Sequence, residues 1–150
     1  MIAEVESAIT GLAFDMIWLK RVYSAPSGRD GLRVLVDRVW PRGVRKERAR
    51  IALWLKETAP SVPLRKWFGH DPAKWKEFRR RYRRELKASA QGEMLIDLAR
   101  QARRRTVTLL YGAVDEQHNQ AVVLKEWLEQ YKAPNKAVRS HRKSSSVAPR

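Results

Sequence analysis

Apolar residues along the chain follow two rhythms that alternate, dense apolar runs and positions spaced at helical intervals. Met16 to Tyr23 (MIWLKRVY) and Leu32 to Asp37 are dense runs of strand length. Ala49 to Thr58 reads as a short helix presenting Ile51, Leu53, Trp54 and Leu55, stopped by Pro60. Ser61 before Val62-Pro63 is a cap followed by a helix start, and Gly69 ends that turn after Leu64, Trp67 and Phe68. Asp71-Pro72 is a second start signal, a capping carboxylate with proline behind it. From there Trp75, Phe78, Tyr82 and Leu86 recur at steps of 3, 4 and 4, which lays one apolar stripe along a helix. Beyond Gly92, Met94, Leu95, Leu98 and Ala102 mark a further helix. Thr106 to Tyr111 (TVTLLY) is the third strand, turning at Gly112. Asp115 to Tyr131 is the last helix, with Ala121, Leu124, Leu128 and Tyr131 in register.

Three strands loosely alternating with about five helices imply a single α/β domain over residues 16–131. Only Ser24 to Gly31 separates the first two strands. A parallel crossover usually needs a dozen residues or more, so the residues by themselves make this an antiparallel pair. Residues 1–15 read as an extension, and Lys132 onward as a basic Ser/Pro-containing tail unable to bury enough surface to order itself.

Composition narrows the chemistry. There are no cysteines, which excludes disulfides and thiolate chemistry, and His70, His118 and His141 are too scattered for a zinc site. No metal or cofactor is expected. Residues 1–15 hold Glu4, Glu6 and Asp15 without a single base, the reverse of a secretory leader, so a cytoplasmic protein away from the membrane is expected. Charge is heavily positive, 32 Lys and Arg against 16 Asp and Glu. The tail accounts for only six of those bases, so the field belongs mainly to the folded part and favours anionic partners.

Two strand ends carry the candidate chemistry. The second strand breaks into Asp37-Arg38, then Trp40-Pro41-Arg42-Gly43. In α/β proteins ligands sit beyond the carboxyl ends of strands. Arg38 and Arg42 offer planar forks for carboxylate or phosphate, and Trp40 a stacking face. The third strand ends at Tyr111-Gly112, ahead of Asp115, His118 and Asn119. Tyr111 and Asn119 are candidates to orient a ligand there, and His118 to move a proton. A third constellation is the helix Lys74 to Lys87, with eight bases, among them Lys76, Arg80, Arg83, Arg84 and Lys87 largely off the apolar stripe. Walker, GxGxxG, GxSxG and HExxH motifs are all missing.

The segment Asp30 to Gly43 (DGLRVLVDRVWPRG) resembles a hallmark of the YeaO-like proteins in domain-of-unknown-function family 488, matched at Arg33, Asp37, Arg38, Trp40, Pro41, Arg42 and Gly43. Leu110, Tyr111, His118 and Asn119 match its second motif, and Leu64 to Pro72 (LRKWFGHDP) a third region. The resemblance implies a mainly parallel three- or four-stranded sheet covered by about five helices, with the first two strands parallel across a degenerate crossover. It implies no reaction, since the family has none established.

Three functions compete. The first is binding of an anionic, phosphate- or nucleotide-like small molecule through Arg38, Trp40, Arg42, Tyr111 and Asn119. The second uses the same pocket for metal-independent catalysis, with Asp37 as general base or nucleophile and Arg42 stabilising negative charge. Arginine so near Asp37 is expected to depress its pKa and weaken it as a base. The third is non-specific nucleic-acid binding through the basic helix and tail.

Overall fold

The computed structural model describes residues 16–139. Its elements are β1 (Ile17–Arg21), β2 (Leu32–Leu35), α1 (Lys46–Ala49), β3 (Leu53–Trp54), α2 (Val62–Phe68), α3 (Trp75–Lys87), α4 (Gly92–Gln101), β4 (Val107–Tyr111) and α5 (Gln120–Arg139). Four strands form one sheet in the order β1-β4-β2-β3, and every pair is parallel. This is a small α/β domain.

The last strand inserts between the first two. That answers the question left by the short link, because β1 and β2 are not neighbours and are not antiparallel. Two strand spacings of about 5 Å and a return along about 17 Å of strand need roughly 20 Å. The ten residues Val22 to Gly31 reach about 30 Å, so the chain crosses back with only the 3₁₀ turn Gly28–Asp30 in the link. Gly31 closes it at φ 62°, and a Cβ there would stand 2.1 Å from the Thr106 carbonyl oxygen. Only glycine fits.

Alternation along the strands assigns the two faces. Val34, Val36, Val107 and Leu109 point to the side covered by α3, α4 and α5, where Phe78, Tyr82, Leu95, Leu124 and Leu128 complete the main core. Each such side chain, fully buried, contributes about 1.5–3 kcal/mol. Tyr82 is wholly enclosed, and its hydroxyl donates to the Thr58 carbonyl at 2.6 Å. The opposite face carries a smaller cluster, Val22, Leu35, Ala49, Ile51 and Leu110, with Trp40 and Val44 against it. On this face Arg33 is buried and tied to the Ala49 carbonyl and to Asp30, which Lys20 also reaches at 3.1 Å. Burial opposes the charge on Asp30, but the Ser27 N–H, Lys20 and Arg33 outweigh it and hold the carboxyl below its ordinary range.

Two expected helices are revised. Ala49 to Thr58 is not one helix: Arg50 turns left-handed at φ 51° and ends α1, Leu53–Trp54 pairs with β2 as an edge strand, and Lys56–Thr58 is a 3₁₀ turn. The run IALWL fits both periods, and pairing with Val34 and Leu35 decides it. The last helix begins at Gln120 rather than Asp115, since Asn119 caps it, and it runs eight residues past Tyr131 to Arg139. Residues 1–15 and 140–150, most of the expected extension and tail, lie outside the described residues. Among the described residues no helix is long and apolar enough to cross a membrane.

Candidate functional site

Because β2 and β4 are adjacent and parallel, their carboxyl ends stop side by side. The ladder continues one residue past β2, with the Val36 N–H donating to the Leu110 carbonyl at 3.0 Å, and then the two chains part. Asp37 fills the gap. Its Oδ2 accepts the Gly112 N–H at 3.0 Å and its Oδ1 accepts the Gln120 side-chain amide at 2.6 Å. Its own carbonyl accepts the Trp54 indole N–H at 2.7 Å. One carboxylate therefore joins the end of β2, the end of β4 and the first turn of α5. Gly112 is required by this approach, since a Cβ there would lie 2.9 Å from Asp37 Oδ2.

Asp37 lines an open cleft of about 770 Å³. Trp40, Pro41 and Pro60 line it, with Phe68 and Phe78 presenting core edges. Arg38, Arg42 and Arg65 supply its guanidinium groups, and His70 and Tyr23 also line it. Burial pushes the Asp37 carboxyl above its usual range, against the opposing pull of the Gly112 N–H, Gln120 and the positive charges of His70 and Arg65. The expected depression by a neighbouring arginine is thus overturned. Arg38 is turned away, its guanidinium donating to the Pro60 and Ala59 carbonyls at 2.9 and 3.1 Å.

The sequence candidates divide by location. Asp37, Arg38, Trp40, Arg42 and Asn119 all line the cleft. Trp40 is braced by an indole N–H donated to the Val44 carbonyl at 2.8 Å and by an edge contact with Trp54 at 5.1 Å. The Tyr23 hydroxyl donates to the Arg42 carbonyl at 2.9 Å, fixing the backbone of Arg42 while its side chain makes no hydrogen bond among the described residues. Asn119 is committed to the fold: its Oδ1 caps α5 on the Ala121 and Val122 N–H groups, and its amide donates to the Asp115 carbonyl at 3.0 Å.

Two candidates lie elsewhere. Tyr111 shares the parity of Val107 and Leu109, so its side chain enters the main core and does not line the cleft. His118 also stays outside, with Nδ1 2.8 Å from Asp115 Oδ2 and its ring against the edge of Trp75. On the basic helix, Arg80 pairs with Glu77 at 2.7 Å and Arg83 reaches Glu126 at 3.4 Å. Lys76, Arg84 and Lys87 form no ion pair among the described residues. Paired guanidinium groups hold the Glu77 carboxyl down to about 2.

Arg65, His70, Gln120 and Tyr23 belong to the cleft but were not singled out by sequence. His70 is held at φ 59° directly after Gly69 at 52°, a left-handed step that costs a non-glycine residue about 1 kcal/mol. It turns the chain at the end of α2 and delivers the imidazole to the cleft. Arg65 and His70 both fall within the LRKWFGHDP segment, a signal that was available; Gln120 had none. No group of three His, Asp or Glu able to hold a metal stands together among the described residues.

A family model described as "Inactive DUF488-N3 subclade" matches residues 16–148. The chain is 42% identical over 113 residues to "Uncharacterized protein YeaO" of Escherichia coli, covering 75% of this chain and 96% of that one. It is 41% identical over 108 residues to "Uncharacterized protein Mb3100c" of Mycobacterium bovis, covering 72% and 89%. No solved structure matches significantly. A match through all four strands and the whole cleft, joined to two relatives aligned over nearly their full lengths, makes the chain a member of DUF488-N3i, the YeaO-like branch of domain-of-unknown-function family 488.

Proposed function

We propose that the protein is a cytoplasmic binding domain for an anionic, phosphate-bearing small molecule, held in the cleft beyond β2 and β4. The observation that carries this reading is a pair of cations. Arg42 and Arg65 enter the cleft from separate segments and make no side-chain hydrogen bond among the described residues. A guanidinium that the fold does not use is available to a ligand, and its planar fork suits phosphate. Arg38 is the weaker contact, since the Pro60 and Ala59 carbonyls already hold its Nε and Nη2 edge.

Binding is favoured over catalysis. Both Asp37 oxygens accept protein hydrogen bonds, His118 is outside the cleft, and the matching family is described as inactive. The basic helix is a weaker candidate than its composition suggests, because Arg79, Arg80, Arg81 and Arg83 are paired with Glu77 or Glu126.

A thermal-shift screen of the full chain against nucleotides, sugar phosphates, dicarboxylates and short oligonucleotides tests the proposal. A ligand at about a hundred times its Kd adds roughly 2.7 kcal/mol of stability. A phosphate-bearing small molecule should raise Tm, and Arg42→Ala or Arg65→Ala should remove the rise. A response to oligonucleotides alone, indifferent to both substitutions and erased by salt, would move the function to the basic surface.

A further inference from the structure

Asp37 is out of place in a site built only for an anion. Arg38, Arg42, Arg65 and His70 line the cleft, yet its lining also includes one carboxylate. Each oxygen accepts one hydrogen bond from the protein, Oδ2 from Gly112 and Oδ1 from Gln120, and a carboxylate has about four acceptor positions. Capacity remains on a group that faces the ligand. Sulfate brings like charge and no donor to Asp37, and inorganic phosphate brings only the P–OH that it keeps near neutral pH, held on the same group that the arginines would bind. A ligand carrying phosphate at one end and hydroxyl or amine donors at the other satisfies both.

The cleft's dimensions and walls narrow the class further. About 770 Å³ is far more than a phosphate fills. Trp40 contributes an aromatic wall whose indole N–H is already satisfied at 2.8 Å by Val44, leaving the ring to act as an apolar surface. Resting on the anion-binding reading, we infer that the cleft takes a nucleoside monophosphate, with Arg42 and Arg65 on the phosphate, Asp37 accepting from the sugar hydroxyls and Trp40 against the base. Asp37 is then the residue that distinguishes an ester of this kind from a simple anion.

The test is calorimetric titration of the full chain with methyl phosphate, ribose 5-phosphate and adenosine 5′-monophosphate. All three carry a phosphate monoester, and they differ in hydroxyls and then in the base. Ribose 5-phosphate should bind about tenfold tighter than methyl phosphate, the factor that a hydrogen bond to a charged group supplies, and the nucleotide tighter again. Asp37→Asn should bring ribose 5-phosphate to within about twofold of methyl phosphate, and Trp40→Ala should remove the advantage of the base. Equal affinity of the wild-type protein for methyl phosphate and ribose 5-phosphate overturns the inference without any variant needing to fold. In that case, binding of both that is still lost in Arg42→Ala leaves the anion-binding reading standing. Binding of none of the three overturns both.

Discussion

Gly112→Ala isolates the contact that ties the two strand ends together. No positive φ is demanded at Gly112, so alanine meets no backbone penalty and the substitution probes the contact alone. The new methyl would sit 2.9 Å from Asp37 Oδ2, closer than a carbon and a carboxylate oxygen can rest. Asp37 has little room to retreat, since Gln120 holds Oδ1 at 2.6 Å and Trp54 holds the backbone carbonyl at 2.7 Å. Losing the Gly112 N–H bond to a charged group costs about 1.5–3 kcal/mol. Alanine offsets about 0.4–1 kcal/mol of that by restricting the unfolded chain. The net is a loss of about 1–2 kcal/mol, a fall in Tm of roughly 3–10 °C for a domain of this size. Denaturant and thermal melts of Gly112→Ala, Asp37→Ala and the double variant measure it. Without the carboxylate, the methyl next meets Pro41 at 3.7 Å, an ordinary contact. In the Asp37→Ala background the glycine substitution should therefore be neutral or slightly stabilising. An equal loss in both backgrounds, or none in the wild type, would refute the latch.

Other consequences follow from the same interactions. Asn119→Ala removes the buried cap on the Ala121 and Val122 N–H groups and should cost about 1–2 kcal/mol in a urea melt, and Asn119→Asp, which keeps the cap acceptor but loses the donor to the Asp115 carbonyl, should recover only part of it. Arg33→Ala leaves the buried Asp30 with Lys20 and the Ser27 N–H and should destabilise by about 3 kcal/mol or more, the cost of breaking a buried pair from one side. Asp37 has a folded pKa above the ordinary 3.8, so its contribution to stability is fully present below that value and is lost as pH rises through the folded pKa. Melts of Asp37→Asn against wild type at pH 3.5 and 7 should show the variant gaining relative stability at the higher pH; a constant difference refutes the burial effect. Asp30 has the opposite sign: its stabilisation is present above 3.8 and lost as pH falls through its lowered value, so Asp30→Asn should lose its disadvantage in acid.

What the sequence made legible follows physical range. β1, β2 and β4 are short apolar-rich runs of strand length, and α3 carries a single stripe behind an Asp-Pro start, so local pattern sufficed. β3 is two residues long and exists only because Val34 and Leu35 pair with it, which no local window contains. The insertion of β4 between β1 and β2 is equally non-local. Asp37 could be found because a charge ending a buried run is conspicuous. Gln120, 83 residues away, could not, since nothing about a glutamine on a first helical turn announces a carboxylate partner. Tyr111 is different: its parity with Val107 and Leu109 was readable, and following the alternation would have placed it in the core. Arg65 and His70 sat in a segment already matched to the family, but the direction of His70 depends on the left-handed turn at Gly69 and His70, and that of Arg65 on where α2 is placed.

The arginines of the first motif show how charge at a strand should be judged. Arg33 is buried, donating to Ala49 and Asp30, and Arg38 turns its Nε and Nη2 edge to the Pro60 and Ala59 carbonyls. Both hold loops onto the sheet. Arg42 follows them within a few residues, yet only its backbone is held, by Tyr23, and its side chain is left to the cleft. Three guanidinium groups that look alike in sequence therefore do two kinds of work, and removing them should have separable effects. Arg38→Ala exposes two carbonyls and should lower stability by about 1–3 kcal/mol, with ligand affinity falling only as the loop loosens. Arg42→Ala removes no protein contact among the described residues and should leave the melt within about 0.5 kcal/mol of wild type. Its cost should fall on ligand binding. A destabilised Arg42→Ala protein would mean that this guanidinium also belongs to the scaffold, and the case for an anion site would then rest on Arg65 alone.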